Sequence, residues 1–183
     1  MPEKEVEVKV LGLDTQAIED RAKKKGAEFL FEEHQVNITI DSQDHPIRHE
    51  KGYLRIRLLL EGEDIIHREM TFKAAQSNDG ARENLEYTTE IQDEKMMLAI
   101  LKELGYDKIN RGEKLRRSYK FMEGRLDFDT WDKATYPHPY LEIEGKNADH
   151  VDQIREALAI PRENLSKKSI GELQKEISKN SIN

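Results

Sequence analysis

The 183-residue chain has no cysteine, which removes disulfides and thiolate metal ligands from consideration and fits a reducing cytosol. No apolar run approaches the length of a membrane span. The first residues read as a charged strand, where a secretory signal would place a basic segment and then an apolar one. A formal net charge of −7 disfavours generic binding to duplex nucleic acid, while leaving room for a local basic pocket around a small polyanion. No Pro/Gly/Ser-rich linker, repeat or low-complexity tract divides the sequence, so residues 1–183 are read as one domain able to bury a sizeable core. The six histidines show neither HExxH spacing nor a paired arrangement with acids, and His34, His45, His49, His67, His138 and His150 are read as surface or loop residues. These features predict a cytoplasmic protein with no membrane or nucleic-acid partner, as a monomer or homodimer.

What the chain has in quantity is charge. Charged residues make up 37% of it and hydrophobic ones 36%, more charge than a solvated exterior requires. The charge follows a period of two, the period of a strand whose side chains alternate faces. Glu3, Glu5, Glu7 and Lys9 alternate with Val6, Val8 and Val10. The pattern returns in Val36–Asp41, and in Tyr53–Leu58, where Arg55 and Arg57 share a face. Ile66–Lys73 sets Glu69, Thr71 and Lys73 against Met70 and Phe72, and Arg82–Ile91 sets Asn84, Glu86, Thr88 and Glu90 against Leu85, Tyr87 and Ile91. Farther on, Lys114, Arg116, Ser118 and Lys120 share one face, Arg125, Asp127 and Asp129 another, and Glu142 and Glu144 flank Ile143. Arg117 has the opposite parity and is expected to face helices or solvent. Asp127 is read as structural.

Four helices are expected between and after the strands: Asp14–Lys25 with Gly26 at its end, Asp93–Gly105, Asp149–Leu158, and one opened by the capping box of Ser169 and Glu172. Met97, Ile100, Leu101 and Leu104 predict a buried stripe on the second. Trp131 and Tyr136-Pro137-His138-Pro139-Tyr140 are read as a loop packed over one end of the strands.

Seven or eight strands joined by short turns favour an α+β fold in which an antiparallel sheet closes on itself. The helices need apolar surface to pack on, and the apolar strand faces are the extensive surface available, so the ionic faces are predicted to line the lumen. Charge buried there costs several kcal/mol per group unless it is paired, hydrated or bound to ions. Lys9, Arg55, Arg57, Lys73, Lys114 and Arg116 suit a chain of phosphates, because guanidinium forks match phosphate oxygens and lysines add compact positive charge. Glu5, Glu7, Glu142 and Glu144 suit Mg²⁺, which takes oxygen ligands and keeps waters or substrate phosphates in its octahedron.

In order and spacing these elements resemble the CYTH superfamily, the triphosphate tunnel metalloenzymes. Glu5-x-Glu7-x-Lys9 is similar to its ExExK signature, Leu54-Arg55-Ile56-Arg57 to its LRIR strand, and Thr71-Phe72-Lys73 to its following lysine strand. Leu104-Gly105-Tyr106, Lys114-x-Arg116, Asp129 and Glu142-Ile143-Glu144 extend the likeness along nearly the whole chain. The resemblance implies a closed eight-stranded antiparallel tunnel with a charged lumen and helices outside, binding a small-molecule triphosphate with Mg²⁺ or Mn²⁺. It implies phosphate contacts from Lys9, Arg55, Arg57, Lys73, Arg82, Lys114 and Arg116, metal ligation from Glu5, Glu7, Glu86, Asp129, Glu142 and Glu144, and catalytic work by Glu142, Glu144 and Lys73. Two departures stand out: Arg82, Asn84, Glu86 and Thr88 retain Glu86 as the clearest acidic match on a strand where relatives often alternate two glutamates, and Asn37 and Ile38 stand where many relatives carry an Asp and an aromatic residue. The expected activity is hydrolysis of tripolyphosphate, thiamine triphosphate or a nucleoside triphosphate. The alternative is a class IV adenylyl cyclase that makes cyclic AMP and pyrophosphate, and a third reading is a noncatalytic module that sequesters polyphosphate or a nucleotide.

Overall fold

The computed structural model describes residues 1–47, 51–77 and 80–180, with backbone alone at 77 and 178–180. The elements run β1 (Glu3–Val10), α1 (Thr15–Lys24), β2 (Glu28–Asp41), β3 (Gly52–Glu61), β4 (Asp64–Ser77), β5 (Arg82–Glu90), α2 (Glu94–Glu103), β6 (Lys108–Phe121), β7 (Gly124–Trp131), β8 (Tyr140–Glu144), α3 (Ala148–Ala157), β9 (Leu165–Ser166) and α4 (Ile170–Asn180). Eight strands pair antiparallel in the order β1-β5-β4-β3-β2-β6-β7-β8 and return to β1, so the sheet closes. One edge of β1 is shared: β5 pairs with Glu3–Glu7, and the two-residue β9 with Lys9 and Val10.

Strands β2 and β6 start earlier than the alternation suggested, at Glu28 and Lys108, and pair along nearly their whole length. A bulge between Phe29 and Phe31 breaks the period of two there, which is why the alternation is hard to read before Val36. Gly52 opens β3 at φ +127°, and a Cβ there would lie 1.8 Å from the Lys73 carbonyl oxygen. Only glycine allows β3 to approach β4 this closely beside Lys73.

The apolar strand faces point outward and the helices cover them. Val6, Val8 and Val10 of β1 join Tyr119, Leu126, Phe128, Leu141 and Ile143 beneath α1 and α3, which contribute Ile18, Ala22, Val151 and Ile154, with Leu158 just past the end of α3. Each fully buried aliphatic side chain is worth roughly 1.5–3 kcal/mol. Val36, Ile38, Ile40, Ile56 and Leu58 form a second layer against Met97, Leu98 and Leu101 of α2. The expected stripe on α2 is narrower than its spacing implied: Ile100 is 48% and Leu104 65% exposed. A ten-residue helix lying on a convex barrel touches it along one line, and those two positions fall off that line. The third layer, Tyr136, Tyr140 and Leu173 with Trp131, Ile170 and Ile177, docks α4 beside the loop after β7.

Helix ends follow local chemistry. Asp14 Oδ1 accepts from the backbone N–H groups of Gln16 and Ala17 at 3.0 and 3.1 Å, and Gly26 at φ +91° follows the last turn of α1. The Ser169/Glu172 box forms reciprocally: Ser169 N donates to Glu172 Oε2 at 2.7 Å, and Glu172 N donates to Ser169 Oγ at 3.3 Å. Of the histidines, His45 and His138 are exposed and His34, His67 and His150 half-buried, whereas His49 lies outside the described residues.

Arg117 faces outward, as its parity predicted. It donates to Glu19 of α1 at 2.6 Å, Tyr119 Oη donates to the same carboxylate at 2.6 Å, and Lys23 lies 2.8 Å away. Burial pushes the Glu19 pKa up, but these donors outweigh it and hold the group at about 2. The folded value lies below the ordinary 4.5, so Glu19 stabilises the fold above pH 4.5 and that contribution fades as the pH falls toward 2. Glu19→Gln is therefore expected to cost about 1–2 kcal/mol at pH 7. Urea midpoints measured at several pH values should show the gap from the parent protein closing under acid conditions.

Candidate active site

Because the apolar faces are outside, alternate residues of every barrel strand point into a bore of about 970 Å³, near the upper end of small-molecule sites at roughly 300–1,000 Å³. Its wall includes Glu5, Glu7, Lys9, Arg55, Arg57, Lys73, Arg82, Glu86, Lys114, Arg116 and Glu142. Asp129 and Glu144, the other two residues singled out from sequence, join it through ion pairs with Lys114 and Arg125. The sequence-derived set thus gathers in one cavity.

The two signs of charge come mainly from different strands. Glu5, Glu7, Glu142, Glu144, Asp127 and Asp129 stand on β1, β8 and β7, which are consecutive in the barrel, while Arg55, Arg57, Lys73, Lys114 and Arg116 come from β3, β4 and β6 on the other side. Where the walls meet, pairing is dense. Arg116 donates to both Asp129 oxygens at 2.7 Å and to Glu142 at 2.6 Å, and also lies 2.7 Å from Asp127. Lys114 donates to Asp129 at 2.8 Å, and Lys9 lies 3.0 Å from Glu142 and 3.4 Å from Glu7. Lys73 donates to Glu5 at 2.7 Å and also pairs with Glu86. Asn84 donates to Glu5 through Nδ2 at 3.2 Å, and its Oδ1 accepts from Arg82 Nε at 3.3 Å.

Pairing does not balance everywhere. Arg55 and Arg57 share Glu69, at 3.8 and 3.5 Å, and Arg55 Nε is buried without a hydrogen-bond acceptor among the described residues. Burial, with Arg55 and Arg116 as neighbours, lowers the Arg57 pKa to about 10. Burial and Arg116 likewise bring Lys114 down to about 8, overriding the attraction of Asp129. Excess positive charge is therefore locked into this wall. The acidic wall shows the converse: burial and Glu5 raise the Glu7 pKa, while burial, Glu5, Asp127 and Glu7 push Glu144 up to about 7 despite Arg125. Glu142 differs, because Lys9, Arg116 and Lys114 overcome its burial and hold it well below the usual carboxylate range.

Among the described residues, no three Asp, Glu or His side chains converge into a ready-made metal cage. Asp129 and Glu142 each face two cations, whereas Glu5, Glu7 and Glu144 each face one, Lys73, Lys9 and Arg125 respectively, and are the less fully compensated carboxylates. Their oxygen chemistry and surplus charge fit a hard divalent cation, and Mg²⁺ needs only one or two carboxylates when phosphates and waters complete its shell.

Asp127, read from the sequence as structural, supports the wall from within the bore. It is 2% exposed, accepts from Ser118 Oγ at 2.6 Å and from Arg125 at 3.1 Å, and helps bury Arg116. Asn37, left without a role, faces the bore and accepts from Arg57 Nε at 3.2 Å. Parity was the available signal for Asp127, which shares a face with Asp129, whereas Asn37 meets Arg57 only through the β2–β3 register. At the far end, Trp131 Nε1 donates to Tyr140 Oη at 2.8 Å, its ring lies 5.2 Å from Lys114 Nζ, and Ser169, Gly171 and Gln174 at the start of α4 also line the cavity.

The sequence profile of the CYTH domain matches residues 3–170, nearly the whole chain. The chain belongs to the CYTH domain family. Among its CYTH-like relatives is a Methanocaldococcus jannaschii protein named "Putative adenylate cyclase", 26% identical over 179 residues that cover 93% of this chain and 98% of the relative. A Pyrococcus horikoshii structure shares the fold with a TM-score of 0.78 at 20% identity, covering 94% of this chain and 98% of the other. A Hippeastrum protein aligns with a TM-score of 0.63 at 14% identity, covering 92% and 91%. The CYTH profile takes in every barrel strand and ends at Ile170, the first residue of α4.

Proposed function

We propose that this protein is a divalent-metal-dependent hydrolase of small molecules that carry a triphosphate chain. The observation that carries the reading is the bore's paired imbalance, with surplus buried positive charge around Arg55, Arg57 and Lys114 and surplus negative charge around Glu5, Glu7 and Glu144. A polyanion alone would leave the acids uncompensated, and a metal alone would leave the guanidinium groups so. A phosphate chain accompanied by Mg²⁺ or Mn²⁺ answers both.

In this reading Arg55, Arg57, Lys114 and Arg116 hold and straighten the phosphate chain. Lys73 and Lys9 stand where the two walls meet and neutralise oxygens at that boundary, and Arg82 extends the row. Glu5 and Glu7 would hold the cation, with Glu86 beside them. When bound, the cation supplies charge neutralisation on phosphate oxygens. Asp129 and Glu142 keep Arg116, Lys114 and Lys9 charged and aimed. Glu144, with a pKa near neutrality and 30% side-chain exposure, is suited to take a proton from an attacking water. Positioning and charge stabilisation would supply most of the rate enhancement, as phosphoryl transfer generally requires.

Purified protein given tripolyphosphate, thiamine triphosphate or ATP with magnesium or manganese should release phosphate. Inactivity across all these combinations would reject the assignment. A second reading, the cyclase, draws on the name of the Methanocaldococcus jannaschii relative. The Hippeastrum protein of the same fold is described as a "Putative adenylyl cyclase" that "reveals a dominant triphophatase activity", so both activities are named among proteins of this shape. Products from ATP separate them: ADP and orthophosphate for hydrolysis, cyclic AMP and pyrophosphate for cyclisation.

The Lys114 value sets a pH dependence. Lys114 is held at about 8 in the free bore, and a bound polyanion raises its proton affinity, so binding takes up a proton once the pH exceeds about 8. Substrate KM is expected to climb toward tenfold per pH unit above that point. Calorimetry in buffers of different ionisation enthalpy should detect the proton uptake, and Lys114→Gln should abolish this limb.

A further inference from the structure

Asn37 of β2 is 4% exposed and lines the bore, and its amide is half used. Oδ1 accepts from Arg57 Nε at 3.2 Å, whereas Nδ2 is buried with no hydrogen-bond partner among the described residues. The neighbouring strand presents a second such donor, Arg55 Nε. Asn37 pairs with Arg57 in the β2–β3 register and Arg55 follows two residues away, so the unanswered N–H groups belong to one patch of wall. Among the described residues the acid nearest both arginines, Glu69, remains 3.5 Å or more from either.

A buried donor without an acceptor is costly. An aspartate at position 37 would nearly match asparagine in shape, keep the acceptor for Arg57, and bring a counter-ion to Arg55 and Arg57. The chain instead carries the neutral amide, which leaves donors on a wall already rich in positive charge. Such an arrangement is satisfied by an anion that supplies its own oxygens.

We infer that Asn37 is a phosphate-binding residue of the bore, its amide oxygen setting the Arg57 guanidinium while its amide N–H₂ donates to a non-bridging oxygen of the phosphate held by Arg55 and Arg57. The inference rests on the triphosphate reading above and adds to it a neutral donor on β2 that requires an oxyanion. It has an unusual signature, because Asn37→Asp changes the two states in opposite directions. In the empty protein the new carboxylate pairs with Arg55 and Arg57 and raises Tm. In the complex it loses a donor and faces the phosphate with like charge.

The test measures binding of the non-hydrolysable imido analogue of tripolyphosphate by calorimetry in magnesium buffer, with Tm of the ligand-free proteins recorded alongside. Asn37→Asp is expected to weaken binding by about thirtyfold, as loss of a charge-assisted hydrogen bond predicts, and to raise Tm. Asn37→Ala is expected to weaken binding by roughly tenfold without raising Tm. If the parent protein fails to bind the analogue, the triphosphate reading falls and this inference with it. If the parent binds and Asn37→Asp binds equally well, the role of Asn37 alone is overturned. A fall in Tm or loss of folding in Asn37→Asp also overturns it, since that marks a purely structural amide.

Discussion

Lys73→Ala is expected to lower kcat/KM for the preferred triphosphate by about a thousandfold, in the range seen when a cation is removed from a phosphoryl-transfer site. Lys73 is buried where Glu5 of β1 and Glu86 of β5 converge on β4, and Glu5 and the other acids nearby overcome the effect of burial and raise its pKa, so the ammonium stays charged throughout the working pH range. Removing it strips positive charge from the boundary between the walls and leaves Glu5 and Glu86 facing one another. Some loss of stability follows from that repulsion, while the barrel itself should persist, because its apolar packing lies on the opposite strand face. Lys73→Arg should recover only part of the rate, since a planar fork does not replace a compact ammonium between two carboxylates. Steady-state kinetics with circular dichroism on the same samples check both parts, and an unaltered rate would remove Lys73 from the site.

The largest stability effect is expected at Arg116. Its guanidinium answers Asp127, Asp129 and Glu142 at once, all inside the bore. Arg116→Met keeps much of the side-chain volume and leaves three acids short of a counter-ion, which should cost about 3–5 kcal/mol, or roughly 10 °C in Tm for a chain of this size. The pH dependence identifies the cause. Glu142 is held well below its ordinary pKa by Lys9, Arg116 and Lys114, so its favourable contribution is present above the usual carboxylate range and disappears as the pH falls through the folded value. The stability gap between parent and Arg116→Met should accordingly narrow as the pH falls below about 4.5, toward the depressed folded value of Glu142. A gap that stayed constant would point to lost packing instead.

Much of this architecture was legible because strand parity is a strict code. Once the helices required the apolar faces, every charged residue of the alternating set was assigned to the lumen, and Arg117, one position out of phase, was assigned to the outside, where it meets Glu19. Parity states which way a side chain points but not which residue it meets. That depends on register, so the clasp of Arg116 by Asp127, Asp129 and Glu142 could not be read from a linear string. The partners of Asp127 and Asn37 were hidden for the same reason. Helix α2 illustrates a different limit: periodicity identified its apolar residues, but the curvature of the barrel beneath determined how many could be covered, and Ile100 and Leu104 remained in water.

The closed ring of strands also bears on how the molecule assembles. Glu5 and Asn84, which lie 79 positions apart in the chain, must meet before the circle is complete, and Leu11 and Asn164, 153 apart, meet where the tail joins β1. Contacts this distant pay their loop-closure entropy before they return any energy, so refolding from denaturant belongs on the millisecond-to-second scale of non-local topologies. Hairpins such as β3–β4 can form early, but β1 must wait for β5, β8 and β9, far along the chain, before both of its edges are satisfied.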